Sequence, residues 1–185
     1  MAKTVLTKIE GGMGLQVEVM ISAEEIAKRV GELGKEISLD YKGKDLVVVG
    51  ILKGAVVFMS DLIRVITVPL EVEFMATSSY GLSTKTSGVV QLLKDLDTAI
   101  EGRDVLIVED IIDTGLTLSY LTQLLHSRKP ASIKTAVLLD KPDRRQTEFV
   151  PDYVGFVIPD EFVIGYGLDA QHKFRELPYI GVVSD

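Results

Sequence analysis

Three carboxylates stand within five residues at Glu109, Asp110 and Asp113, and Thr114-Gly115-Leu116-Thr117 follows at once. Carboxylates so close repel one another, and where partly buried they need hydroxyl donors, a metal ion or protonation to coexist. A sugar diol supplies hydroxyl donors. The Thr-Gly-Leu-Thr turn offers backbone N–H groups and two hydroxyls at the start of a helix, a setting that suits phosphate. Gly115 permits close approach of backbone to ligand. A phosphosugar therefore meets both halves of the segment, its diol on Glu109 and Asp110 and its phosphate on Thr114 to Thr117. Asp113 is then free for proton transfer. Taken alone, Asp113 reads better as a helix cap in a solvated loop. The full pattern of strand, Glu-Asp, apolar pair and Asp-Thr-Gly is what points to a ligand.

These side chains need a strand to carry them. Val105 to Val108 is a short, continuous apolar run, the pattern of a strand buried on both faces, and it ends in Glu109-Asp110. Leu118, Leu121, Leu124 and Leu125 mark a helix after it. A similar strand, Leu46 to Val49, is closed by Gly50, with Ile51 to Gly54 turning the chain into a helix through Val56, Val57, Met59, Leu62 and Ile63. Leu70 to Ala76 and Val89 to Leu93 read as a strand and its return; Thr135 to Leu139 and Tyr153 to Val157 are further buried strands. Nearer the start, Ser22 and Glu25 form a capping pattern before Ile26, Val30 and Leu33, with Gly34 expected to help stop that helix. Ser78 to Gly88, SSYGLSTKTSG, lacks apolar periodicity and reads as a mobile surface loop or a hairpin tip. Strands alternating with helices imply right-handed βαβ units. The expected class is α/β: an open, mostly parallel sheet with helices on both faces. Ligands of such sheets bind at the carboxyl ends of the strands, where the acidic corner lies.

The 185 residues amount to one domain, able to bury roughly 70% of the surface exposed when unfolded. The absence of cysteine excludes disulfides, thiolate metal sites and a cysteine nucleophile, and fits a cytoplasmic location. With 20 basic and 27 acidic residues the net charge is -7, which opposes non-specific binding to nucleic acid or to an anionic membrane. No apolar run is long enough to span a bilayer. No Walker A sequence occurs, and His126 and His172 lack a metal-ligand spacing.

VEDIIDTGLT resembles the phosphoribosyl-pyrophosphate signature of the type I phosphoribosyltransferases. VGILKGAVVFMSDL, VEFMATSSYG, LLDKPDRR, VGFVIPDEFVIGYGLD and FRELPYIG narrow the resemblance to the 6-oxopurine branch, the hypoxanthine-guanine phosphoribosyltransferases of bacterial type. It runs from about Val17 to Val183. The resemblance implies a single domain over 1–185, with a core over about 40–160 and a small hood from the N-terminal segment and about 160–185. It implies a Mg2+-dependent purine-salvage enzyme of the cytoplasm, a homodimer or homotetramer, that joins a 6-oxopurine to the ribose of phosphoribosyl pyrophosphate.

Residue by residue, the resemblance gives Glu109 and Asp110 the ribose hydroxyls and, with Asp169, a part in holding the metal. Asp113 handles the proton on the purine's imidazole ring and, with Thr114, Gly115, Leu116 and Thr117, belongs to the 5′-phosphate loop. Some relatives have a polar or basic side chain where Leu116 stands. Lys53, Gly54 and Arg175 meet pyrophosphate, with a cis Leu52–Lys53 bond bringing the backbone close. Lys141 reads the 6-oxo group, which disfavours adenine. Phe162 stacks on the base, while Val163 and Asp169 border its edge. Ser79 and Tyr80 head a lid. Without the resemblance, Lys53, Asp169 and Arg175 read as surface charges, and Phe162 reads equally as core. A regulatory module that kept the phosphosugar pocket without turnover is the alternative. It has less reason to keep Lys53, Asp113, Lys141, Asp169 and Arg175 together.

Overall fold

The computed structural model describes residues 6–8, 16–79 and 90–184. In chain order the elements are β1 (Leu6–Lys8), β2 (Gln16–Ile21), α1 (Ala23–Asp40), β3 (Leu46–Leu52), α2 (Val56–Val65), β4 (Leu70–Ser79) and β5 (Val90–Lys94). Then come β6 (Asp104–Ile112), α3 (Leu116–His126), β7 (Ser132–Asp140), a 3-10 turn (Pro142–Arg144), β8 (Tyr153–Val157), β9 (Val163–Ile164) and β10 (Ile180–Ser184). The main sheet has the order β5-β4-β3-β6-β7-β8, parallel throughout except for β5, which runs antiparallel to β4. A second, antiparallel sheet, β1-β2-β10-β9, is made from the two ends of the chain.

Strand alternation divides the core in two. Leu46, Val48, Leu106 and Val108 pack under α1 and α2, while Val47, Val49, Val105 and Ile107 pack under α3. Helices thus cover both faces, which is why these strands read as unbroken apolar runs. Each fully buried Leu, Ile or Val contributes about 1.5–3 kcal/mol, so the central strands anchor the residues at their carboxyl ends.

The Ser22 capping box is present: the Glu25 N–H donates to Ser22 Oγ at 3.3 Å, and the Ser22 N–H donates to Glu25 Oε2 at 2.9 Å. Gly34 does not stop α1, which continues to Asp40. A Cβ at Gly34 would lie 2.5 Å from Val65 Cγ2, so this glycine serves close packing of α1 on α2. Two strands outrun their apolar cores. β3 continues past Gly50 to Leu52, and β6 continues past Val108 to Ile112 because β7 keeps pairing with it, Ile111 with Leu139 and Ile112 with Asp140. Glu109 and Asp110 are therefore strand residues. Ser78 and Ser79 extend β4 against Gln91 and Val90 of β5, so the expected loop is shortened on that side. Residues 80–89, including Tyr80 and Val89 and most of the expected loop or hairpin tip, lie outside the described residues.

Candidate active site

The corner at the end of β6 is electrostatically unfavourable for its own carboxylates. Glu109 is only 8% exposed. Burial first, and then the charge of Asp110, push its carboxyl well above the ordinary value. Burial raises Asp110 as well, but the Glu109 hydrogen bond, the Ile111 N–H at 2.9 Å and the charge of Arg175 oppose that rise. Burial and mutual repulsion thus favour the protonated form of the pair, more strongly at Glu109 than at Asp110. Of the compensation that close carboxylates need, the structure shows the Arg175 charge and the Ile111 N–H beside Asp110.

After Ile112 the chain leaves the sheet through Asp113 and Thr114. The Thr114 N–H donates to Asp113 Oδ1 at 2.5 Å, which fixes that carboxyl and leaves Oδ2 without this bond. Gly115 adopts φ +80°, a conformation that favours glycine, and it begins α3 without a side-chain cap. No acidic residue stands in the first turn of α3. Its dipole is thus unopposed toward an anion. A Cβ on Gly115 would collide with Thr147 Oγ1.

Two cavities meet over this corner. One, of about 450 Å³, is lined by Leu52, Gly54, Glu109, Asp110, Asp113, Gly115, Thr117, Asp169 and Arg175. The other, of about 410 Å³, is lined by Lys141, Arg144, Phe162, Val163 and Leu168 and shares Asp110, Ile111, Asp113 and Asp169 with the first. The Leu52–Lys53 peptide bond is cis. Gly54 presses on the Asp110 carboxylate so closely that no side chain could stand there, and its carbonyl abuts Gly167. Lys53 itself is exposed, and the cavity is bordered by Leu52 and Gly54 on either side of it.

The second cavity is assembled from distant segments. Lys141 follows β7 and is 8% exposed; its Nζ donates to the Glu161 carbonyl at 2.5 Å and lies 3.8 Å from Asp160 Oδ1. An ammonium has three donors, so its other N–H bonds are available for a ligand. Phe162 is 59% exposed while Val163 is buried in β9. Phe162 is thus excluded from the core, the alternative that periodicity left open. Asp169 accepts from Arg175 Nη2 at 2.6 Å, and Arg175 Nη1 donates to the Gly167 carbonyl at 2.5 Å.

Among the described residues, no group of three or more His, Cys, Asp or Glu is placed to hold a metal ion unaided. Asp110 and Asp169 nonetheless line one cavity together. One or two carboxylates, completed by phosphate oxygens and water, are a donor set that Mg2+ accepts.

The pattern of the family described as "Phosphoribosyl transferase domain" matches residues 20–171. The chain belongs to the phosphoribosyltransferase family. It is 55% identical over 167 residues to the hypoxanthine-guanine phosphoribosyltransferase of Bacillus subtilis (strain 168), covering 90% of this chain and 93% of that one. A bifunctional protein TilS/HprT of Listeria monocytogenes (serotype 4b) is 52% identical over 90% of this chain, which spans 26% of that protein's length. A crystal structure of a hypoxanthine phosphoribosyltransferase from Staphylococcus aureus superposes with a TM-score of 0.87 at 51% identity, covering 90% of this chain and 91% of that chain.

Of the residues expected in this phosphoribosyltransferase, the structure gathers Gly54, Glu109, Asp110, Asp113, Gly115, Thr117, Lys141, Phe162, Val163, Asp169 and Arg175 around the two cavities. Thr114 and Leu116 contribute backbone beside them, and Ser79 ends β4. Sequence reasoning missed Arg144 and Arg145. Arg144 borders the second cavity and pairs with Asp160 at 3.3 Å. Arg145 donates to the Asp113 carbonyl at 3.0 Å. Both lie in LLDKPDRR, where two cations follow a strand end that already holds Lys141; that excess of positive charge beside an acidic corner was the available signal.

Proposed function

We propose that the chain transfers the 5-phosphoribosyl group from phosphoribosyl pyrophosphate to a 6-oxopurine, hypoxanthine or guanine or both, yielding IMP or GMP and pyrophosphate in purine salvage. The observation that carries this reading is the meeting of two unlike cavities at Asp110, Asp113 and Asp169. One offers carboxylates, an arginine and an uncapped helix start; the other offers a buried ammonium beside an exposed aromatic ring.

In this reading Glu109 and Asp110 take the ribose hydroxyls. Asp113 to Thr117 takes the 5′-phosphate on backbone N–H groups, which explains why an apolar Leu116 is tolerated there. Lys53, Gly54 and Arg175 meet the pyrophosphate. Phe162 offers its face to the purine, and Val163 and Asp169 border its edge. Lys141 donates to the 6-oxo atom; adenine would present an amino group to that donor and leave both groups unpaired. Asp113 Oδ2 exchanges a proton with the imidazole nitrogen of the base. Ser79 and Tyr80 head the lid that excludes water from the electrophilic sugar. The metal in this reading is Mg2+, which Glu109, Asp110 and Asp169 would help to hold. When bound it neutralises charge on the departing pyrophosphate. We read the assembly as a homodimer or homotetramer and the location as the cytoplasm. No described helix is long and apolar enough to cross a membrane.

The test is direct. Protein, Mg2+, phosphoribosyl pyrophosphate and hypoxanthine should give inosine monophosphate, measured by chromatography. No nucleotide from any 6-oxopurine would overturn the reading. Light scattering of the purified chain checks the assembly.

A further inference from the structure

Arg145 is not among the groups assigned to either ligand, yet it touches the structures that hold both. Its Nε donates to the Asp113 carbonyl at 3.0 Å and its Nη1 to the Phe149 carbonyl at 2.7 Å, while Nη2 meets the Asp140 carboxylate. The Arg145 and Asp140 side chains are only 15% and 14% exposed, so solvent screens the pair weakly. The arginine stem lies against the start of α3, since a Cβ on Gly115 would be 3.0 Å from Arg145 Cδ. The next residue continues the contact: the Gln146 N–H donates to the Thr114 carbonyl at 2.9 Å.

Both consecutive carbonyls of the turn, Asp113 and Thr114, are thus held by donors from 145 and 146. In a trans peptide the N–H points opposite the C=O of the same plane. Fixing these two carbonyls therefore fixes the directions of the Thr114 and Gly115 N–H groups. The first of these binds Asp113 Oδ1 and aims the carboxyl. The second lies in the turn that borders the first cavity.

We propose that Arg145, anchored on Asp140, is a positioning residue for phosphoribosyl transfer, setting the peptide plane that aims the Asp113 carboxyl and placing the neighbouring Gln146, whose own N–H sets the plane of the Gly115 N–H. This rests on the reading of Asp113 to Thr117 given above. A guanidinium suits the task because its planar fork serves three acceptors at once, which an ammonium on a single nitrogen does not.

The test is steady-state kinetics on Arg145→Gln and Arg145→Lys, with thermal unfolding of each. Both should show kcat lowered and KM for phosphoribosyl pyrophosphate raised, each about tenfold, with KM for hypoxanthine moved less than about threefold. Arg145→Lys keeps a cation beside Asp140 yet should not restore the parent's values. Should Arg145→Gln fail to fold, Arg145→Lys decides alone; failure of both to fold assigns Arg145 to the fold only and overturns the proposal. It is also overturned if a folded variant stays within about twofold of the parent, if both KM values rise equally, or if lysine rescues fully. A parent that neither binds phosphoribosyl pyrophosphate by calorimetry nor forms nucleotide overturns the functional reading itself. An active parent with unmoved variants sinks only the role of Arg145.

Discussion

The two halves of the site are built on opposite plans. The ribose and 5′-phosphate part of the phosphosugar half is nine consecutive residues, 109–117, running off one strand into one turn, and its proposed phosphate contacts are largely backbone. The base half draws Lys141 from the end of β7, Phe162 and Val163 from the entry to β9, and Asp169 from the loop beyond it, and works mainly through side chains. A backbone cradle depends on conformation and on the glycine that permits it, so it tolerates Leu116. A side-chain pocket depends on each group separately. Asp113 belongs to both, lining both cavities as Asp110, Ile111 and Asp169 also do.

Among the shared residues, Asp113, the proposed proton acceptor, should give the largest effect. Asp113→Asn keeps the size of the side chain and an oxygen that can accept from Thr114 N–H, but removes the proton acceptor. Turnover should fall about 100-fold to 1,000-fold, while KM for phosphoribosyl pyrophosphate stays within about threefold. A rate close to the parent's removes Asp113 from proton transfer. A rise in KM as large as the fall in kcat would instead make Asp113 a binding residue of the phosphosugar half alone.

Lys141→Ala confines damage to the base half. The ratio of kcat/KM for hypoxanthine over adenine should fall about tenfold to 100-fold, the value of a buried group left unpaired by the wrong substrate. The KM for phosphoribosyl pyrophosphate should be nearly unchanged, since Lys141 does not border the first cavity. Unaltered selectivity removes Lys141 from base reading. A parallel loss for both substrates would blur the division between the halves.

The same difference explains what the sequence disclosed. Glu109 to Thr117 could be read because strand end, acids and turn are adjacent, and local rules cover each step. The parallel sheet and its two covered faces were equally legible from continuous apolar runs such as Val105 to Val108. The contacts between segments were not. Gly34 resembles a helix stop until Val65 of α2 stands against it. The length of β6 depends on β7 pairing beyond Val108. Arg145 escaped notice because the Asp113 carbonyl it binds comes from a turn 32 residues away. Phe162 was undecided for a related reason: whether an aromatic faces core or cavity depends on what packs opposite, and no periodicity reports that.

The smallest expected effect tests whether the phosphosugar half is kept at a loss of stability. The folded Glu109 holds its proton to higher pH than the unfolded chain does, because burial and Asp110 raise it. As pH rises from the ordinary carboxylate range toward that raised value, the unfolded chain releases its proton first. The folded state then binds more protons than the unfolded one, so stability falls as pH increases across this window. Glu109→Gln removes the titration and can keep a hydrogen bond to Asp110. The variant should unfold at higher urea than the parent, with a gain of about 1 kcal/mol at pH 8 that shrinks toward pH 4, even as it loses activity. An advantage that is absent, or equal at both pH values, would mean the acidic corner is not strained by Glu109 and that Arg175 and the turn already satisfy it.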